Sequence, residues 1–501
     1  MFSEYALTGD AFKAAETSKR TKSGIVPTTA LTMTQLSFID SIDGRLLKAG
    51  LALIWQPSMG RAGHLSVRDA KTGERRVLLA MKSQPEQLVD IPPTLLSGVI
   101  HQALGGRALI ALHQMKVRVR TADLVAKGQT IGDILYIAAG PKDEALMWVE
   151  TRRGFESAAQ ASLKKVGQQR KKPKLFHAFL ASAQEAAQLN NKGFPALKPD
   201  EPAASAIATL HRTLLAQMSS QVSGTCKDID IEFLHDLRVA SRRARSLLQT
   251  AKTVLSEDVQ AYGLERYRWV GQETTTLRDL DVYLHDYPAL QGALSPEMRA
   301  ALEPFKELLK TERKRAFRQV KTLLTSRAFQ NFTQQWTEYL TSDTSFTGRD
   351  AQTPILALAN KAIAKRYQRI CNDGNAITDE SPAEALHDLR KQGKKLRYLL
   401  EFFASLYPQD VIKPRIASLK KLQDLLGSYQ DCAVQAAFLE DKASVLRKNV
   451  SVPADTLMAM GALADQRLQD EKRLRTEFRA FFTPFAGTDE RAAYKAMLKR
   501  G

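Results

Sequence analysis

Cysteine is scarce in this chain of 501 residues. There are three, Cys226, Cys371 and Cys432, far apart and without a CxxC pair. That excludes a disulfide scaffold and a structural zinc site, and it fits a reducing compartment. Long apolar runs are missing too. One of the longer stretches free of Asp, Glu, Lys and Arg, residues 91–106, is broken by Pro92, Pro93 and several glycines, and it is too short to cross a bilayer. The first residues include Glu4 and Asp10 and no apolar run, so no signal peptide is read there and a cytoplasmic protein is expected. Aromatic residues make up only 7%, few for a protein that stacks nucleic-acid bases. No GxxxxGK followed by Ser or Thr, no glycine-rich nucleotide fingerprint and no helix-turn-helix, RNP or OB signature is found.

What is present is ordinary globular composition with a surplus of positive charge. Hydrophobic residues are 44% and charged residues 25%, which excludes wholesale disorder. Lys and Arg number 73 against 54 Asp and Glu, a formal charge of +19. Charge of this size favours a polyanionic partner, but only its arrangement can say more.

Texture divides the chain. Up to residue 163, β-rich segments alternate with Gly and Pro: Leu51 to Trp55, Arg76 to Met81, Met115 to Arg120 and Ala145 to Glu150. Residues 164–197 read as a linker, with Lys164, Lys165, Arg170, Lys171, Lys172 and Lys174 crowded at its start and prolines beyond. The rest has helical periodicity and contains a repeat. His235-Asp236-Leu237-Arg238 recurs as His387-Asp388-Leu389-Arg390, an offset of 152 residues. The same offset aligns Arg242-Arg243 with Lys394-Lys395, Arg245 with Arg397, and Asp279 with Asp431. Two related helical bundles are therefore expected over 198–340 and 352–485, separated by the Ser/Thr/Asp/Gly-rich 341–354, with 486–501 as a tail.

The repeated helix is amphipathic. At about 100° per residue, Arg238, Arg242 and Arg245 share one face with His235, while Leu234, Leu237, Ala244 and Leu248 share the opposite one. Arg243 falls off the stripe. The second copy places His387, Arg390, Lys394 and Arg397 against Leu386, Leu389, Leu396 and Leu400, with Lys391 and Lys395 beside the stripe. A solvated face usually mixes signs, because like charges at i,i+4 repel. Two copies of an uncompensated cationic stripe point instead to an anion-binding face. Lys310, Lys314, Arg318 and Lys321 form a weaker stripe, as do Lys472, Arg475 and Arg479, and all of these are expected to line one groove.

This pair of motifs, each a His-Asp-Leu-Arg helix, with Leu277-Arg278-Asp279-Leu280-Asp281-Val282 after the first, resembles the CHAD family. The resemblance covers residues 198–485 and implies a mainly α fold, two pseudo-symmetric four-helix bundles in tandem. It also implies binding of inorganic polyphosphate along a basic channel between the bundles, with association with polyphosphate granules and their proteins. Carried over, it marks His235, Arg238, Arg242, Arg243, Arg245, His387, Arg390, Lys394, Lys395 and Arg397. The second copy departs at the aspartate motif, reading Tyr429-Gln430-Asp431-Cys432-Ala433-Val434. The stretch Phe38 to Leu53 is similar to a CYTH or triphosphate-tunnel domain, with Lys82 and Val117 to Arg120 supplying later basic strands. The Glu-x-Glu-x-Lys such a domain needs to hold a divalent ion is absent, since residues 3–8 offer only Glu4. A degenerate, small β-rich α+β domain without activity is expected. No cofactor, no catalysis, no membrane and no specific nucleic acid are expected either.

Three alternatives stay open. His211, His235-Asp236 and Asp279 follow the ligand order of HD-type metal phosphohydrolases, although the second His-Asp has no counterpart of His211. Triphosphatase activity in the first domain and general polyanion or nucleic-acid binding are the others.

Overall fold

The computed structural model describes residues 2–7, 24–57, 62–94, 96–138, 146–164, 166–170, 174–189, 193–292, 294–448 and 452–500. The chain divides into two compact units, Met1–Lys192 and Gly193–Gly501. Lys165, Lys171 and Lys172 of the basic run lie outside the described residues.

The first unit runs β1 (Phe2–Leu7), β2 (Ile25–Pro27), β3 (Thr32–Asp40), α1 (Arg45–Lys48), β4 (Leu51–Gln56), β5 (Gly63–Asp69), β6 (Arg75–Met81), α2 (Ser97–Leu104), β7 (Ile110–Ala126), β8 (Gln129–Ala138), β9 (Leu146–Thr151), α3 (Glu156–Leu163), β10 (Gly167–Gln169) and α4 (Lys174–Leu189). The strands form one antiparallel sheet in the order β10-β1-β9-β8-β7-β3-β4-β5-β6, with β2 on β7. The period of two sorts each strand between two cores. On β9, Met147 and Val149 pack with Leu163 of α3, while Trp148 packs with Phe38 and with Phe176 and Phe179 of α4.

Residues 174–189, expected as linker, are therefore a helix of the first unit. Its buried Phe176, Phe179 and Ala183 alternate at helical spacing, which the Lys- and Pro-rich start of the segment hides. The carboxylate of Glu4 fixes this helix. It accepts from Leu175 N and Phe176 N at the helix start and from Trp148 Nε1 at 3.0 Å. A carboxylate there satisfies otherwise orphaned amides. Glu4 is thus committed to structure.

The second unit is helical: α5 (Ala203–Ser220), α6 (Val222–Lys227), α7 (Ile231–Thr250), α8 (Glu257–Glu273), α9 (Thr275–Gly292), α10 (Pro296–Ala301), α11 (Glu303–Thr325), α12 (Arg327–Thr341), α13 (Ile355–Asn375), α14 (Ala383–Phe402), α15 (Gln409–Leu446), α16 (Ala454–Ala486) and α17 (Thr488–Arg500). The repeat is exact at the key helix, since both ends of α7 map onto the ends of α14 at the 152-residue offset. One core joins the copies, from Leu197 to Met497. Residues 488–500, expected as a tail, form α17, which buries Tyr494 on Tyr367 with ring centroids 3.8 Å apart.

The two copies are related by an approximate two-fold axis. Ala203 N donates to Thr353 O, and Ile355 N donates to Glu201 O, both at 2.9 Å. Each bond is the image of the other under the 152-residue shift. Tyr283 Oη donates to the carbonyl of Gln435, its own equivalent, at 2.9 Å. Equivalent positions of two copies touch only near their axis.

Candidate anion-binding seam between the two repeats

Helix α7 begins at Asp230, whose side chain accepts from Glu232 N at 2.7 Å, a standard start signal. Its Leu234, Leu237, Leu247 and Leu248 are buried, as are Leu386, Leu389, Leu396 and Leu400 of α14. Burying each of these leucines contributes roughly 2 kcal/mol. Fixing those faces in the core fixes the cationic faces opposite them, and α7 packs directly on α14.

The charges then meet. The Lys394 ammonium is pushed down to about 8, by burial first and then by Arg390, Arg242 and Arg397, with Asp431 opposing. Arg242 and Lys394 are equivalent residues, so the stripes of the two copies converge near the axis. Arg245 is lowered by burial and then by Arg268 of α8 and Arg242. Lys395 is lowered by burial and then by Arg366 of α13, Arg245 and Arg369. Arg238 is pushed down to about 10 by burial and by Arg242, while Asp279 pulls the other way. Half-buried like charges held together cost energy and call for a counter-anion.

Some of the expected cations are engaged elsewhere. Arg243 is buried, pairs with Glu401 of the other repeat, and lies over Phe194 at 5.5 Å and Tyr398 at 5.8 Å. Its position off the stripe, about 100° past Arg242, takes it into the interior. Arg397 is 3.9 Å from the same Glu401. Arg390 donates to Asp431 at 3.1 Å, and Lys391 donates to Asp388 at 3.0 Å. Arg238 Nη1 donates to Gly271 O and Thr274 Oγ1, both at 2.7 Å, where α8 gives way to α9. The second copy has Leu426 in place of Thr274, and α15 runs on unbroken. His387 Nδ1 is 2.6 Å from Gln430 Oε1, and His235 is half-buried.

The weaker stripes do not join the seam. Arg475 donates to the carbonyls of Asp379, at 2.7 Å, and Ser381, and Arg479 donates to that of Ile377. These arginines tie down the connection between α13 and α14, so a regular cationic spacing here serves carbonyl groups that sequence cannot place. Lys472 is exposed on α16, and Lys314, Arg318 and Lys321 are exposed on α11. The charges that shift Arg245, Lys394 and Lys395 come from α7, α8, α13, α14 and α15, not from α11 or α16.

Sequence reasoning missed Arg268, Arg366, Arg369 and Glu401. One signal is legible, since Arg268 aligns with Lys420 at the repeat offset. The sequence also left open the role of Asp281, which is buried and accepts from Arg313 Nε at 2.7 Å, while Arg313 also grips Asp228. Burial pushes the Asp281 carboxyl up to about 6 against the pull of Arg313. Ala433 stands at the equivalent position, so this clamp belongs to the first copy alone.

The HD-type constellation is not assembled. His211 is fully buried with its ring 5.4 Å from Trp336, and burial pushes its imidazole down to about 3. Among the described residues no group of three or more His, Cys, Asp or Glu is placed to hold a metal ion. In the first unit, a cavity of about 340 Å³ lies between β4–β6 and β7–β9. Arg68 crosses it to Glu150 at 2.6 Å, and Arg75 crosses to Asp133. Neither strand pair is adjacent in the sheet, so the sheet curls around the cavity. Among the described residues, the arginines that line the cavity are Arg68 and Arg75. Of the expected basic strand, Arg120 is instead buried against Thr29 O at 2.9 Å.

Residues 209–440 match the family model described as the CHAD domain, so the helical unit contains a CHAD domain. Two uncharacterized proteins of Mycobacterium tuberculosis, one from each of two strains, are 24% identical over 259 residues. That alignment covers 49% of this chain and 47% of theirs, so the chain spans about half the length of the curated relatives it matches. Among solved structures, the CHAD domain from the plant Ricinus communis is 20% identical with a TM-score of 0.49, over 58% of this chain and 96% of that one. PptA from Streptomyces chartreusis is 17% identical with a TM-score of 0.45, over 56% of this chain and 99% of that one. No helix among the described residues is long and apolar enough to cross a membrane.

Proposed function

We propose that the helical unit binds inorganic polyphosphate along the seam between its two repeats. One observation carries the reading: Arg242 and Lys394, equivalent residues of two cationic stripes, come together half-buried beside Arg245, Lys395 and Arg397. Such a cluster is costly in the free protein and is relieved by closely spaced negative charge. Polyphosphate offers about one charge per phosphate and no bases, and guanidinium forks match its oxygens. Binding of this kind would hold the protein on polyphosphate granules and their associated proteins. The first unit is read as a degenerate relative of the triphosphate-tunnel domains. Its curled sheet and cavity support that reading, while the Arg68–Glu150 and Arg75–Asp133 pairs occupy charges that a triphosphate and its metal would need.

The test is a titration of the full chain against long-chain polyphosphate, ATP and duplex DNA at two salt concentrations. Replacing Arg242 and Arg245 together by alanine removes two phosphate contacts of roughly 1–2 kcal/mol each. Polyphosphate affinity should fall by about 30-fold to 1000-fold, and the salt slope should shrink. Undiminished affinity in the folded variant refutes the proposal. Equal or tighter binding of DNA at matched charge would favour general polyanion binding.

A further inference from the structure

We propose that the cavity of the first unit binds a small organic cation, an ammonium group carried on an apolar body. The proposal does not depend on the seam. It starts from the register of the sheet. Asp123 of β7 stands directly opposite Asp133 of β8, and Asp133 stands directly opposite Glu150 of β9. Residues paired in this way share one face of a sheet, and all three carboxylates line the cavity. They form a row across three adjacent strands. Facing the row are two arginines, Arg68 of β5 and Arg75 of β6, themselves opposite one another.

Three acids thus meet two bases. Arg68 reaches Glu150 at 2.6 Å, and Arg75 reaches Asp133. Arg68 is held where it is, because its Nη1 also donates to Gly73 O at 2.8 Å and its guanidinium lies over Phe2 at 5.0 Å and Trp148 at 5.2 Å. Asp123 has no hydrogen-bond or ion-pair partner among the described residues. Its other cross-strand neighbour, Val26 of β2, offers none. Like charges directly opposite one another destabilise a sheet, so the row lacks a third cation at the Asp123 end. His64 also lines the cavity, but four residues before Arg68 it lies about 13 Å away along β5. A metal ion does not suit the vacancy, since Asp133 and Glu150 are engaged by arginines and no metal-holding group is formed among the described residues. An ammonium needs only one or two carboxylate oxygens. The remaining wall is apolar, built by Leu36, Ile54, Leu135 and Trp148, and the volume of about 340 Å³ is that of a small-molecule site. Leu78 and Asp133, both half-exposed, mark its opening. A bare cation would leave these walls unfilled, and a triphosphate would meet the surplus acid. An amine with an apolar body answers both.

Calorimetric titration of the full chain with hexylamine, phenethylamine, hexanol and hexanoate tests this, since these probes share an apolar body and differ in charge. The expected result is saturable binding of the two amines, binding of hexanol weaker by about tenfold, and none of hexanoate. Asp123→Asn keeps the shape of the side chain and relieves the row of one charge, so it should fold and bind the amines about tenfold more weakly. Asp123→Ser is the second variant and should lose as much. Glu86→Gln, which changes an exposed acid of the same unit outside the cavity, should bind the amines as the wild type does. No saturable binding of either amine, equal binding of hexanoate, or equal losses in Asp123→Asn and Glu86→Gln overturns the proposal. Polyphosphate binding at the seam stands or falls separately from each of these outcomes.

Discussion

Lys394→Met should weaken polyphosphate binding and at the same time stabilise the fold. The ordinary ammonium value is 10.5, and the seam holds Lys394 at about 8. Each pH unit of that difference corresponds to about 1.4 kcal/mol between protonation states, so the charged form costs about 3 kcal/mol at neutral pH before solvent is considered. The side chain is only part-buried, and screening reduces the figure to about 1 kcal/mol. Methionine keeps the apolar stem against its neighbours and removes the charge. The midpoint of thermal unfolding of the helical unit should rise by about 2 °C at pH 7. A lysine with a depressed folded value destabilises fully below about 8, and the penalty is relieved as pH climbs from 8 toward 10.5. Wild-type stability should therefore gain relative to Lys394→Met across that window. Differential scanning calorimetry at pH 7 and 10, with polyphosphate titration in parallel, measures both halves. A variant that melts lower than the wild type at pH 7 while binding polyphosphate equally well would refute the reasoning, since Lys394 would then be a structural cation.

Arg243→Ala should act in the opposite way, losing about 2–4 kcal/mol of stability in chemical denaturation because Glu401 loses its buried partner and two aromatic faces lose their cover. A loss below about 0.5 kcal/mol would place Arg243 on the ligand side after all. His211, neutral and sealed against Trp336, should make the fold acid-sensitive: stability falls by about 1.4 kcal/mol per pH unit once pH drops below 6.5, down toward 3. Urea midpoints at pH 7 and 5 check this against His211→Gln, which should lack most of that fall.

Much of the candidate site is legible in the amino-acid sequence alone. The 152-residue repeat, the apolar faces of α7 and α14 and the stripe Arg238, Arg242, Arg245 with Arg390, Lys394, Arg397 are all properties of helical periodicity, which is local and readable at about 100° per residue. The same angular arithmetic sets Arg243 apart from its stripe, even though the family motif includes it. The strands of the first unit are legible for the same reason, with the period of two in place of 3.6.

Other features depend on partners far along the chain, and only the tertiary structure decides them. Glu401, the acid that captures Arg243, is 158 residues away, and nothing in either segment announces the other. The same holds for the carbonyls that take Arg475 and Arg479, about a hundred residues upstream. The spacing of Arg475 and Arg479 matches that of Arg238 and Arg242, because a helix face looks alike in sequence whether it meets ligand, solvent or another loop's backbone. The helix at 174–189 is hidden behind a basic run because its stabilisation comes from Glu4 and Trp148, in strands distant in sequence. The decisive feature of the seam, Arg242 brought to Lys394, needs the two-fold arrangement of the copies. A repeat in sequence states that two faces are alike, but packing around an axis determines that they confront each other, through contacts such as Ala203 to Thr353 and Tyr283 to Gln435 that carry no local signature.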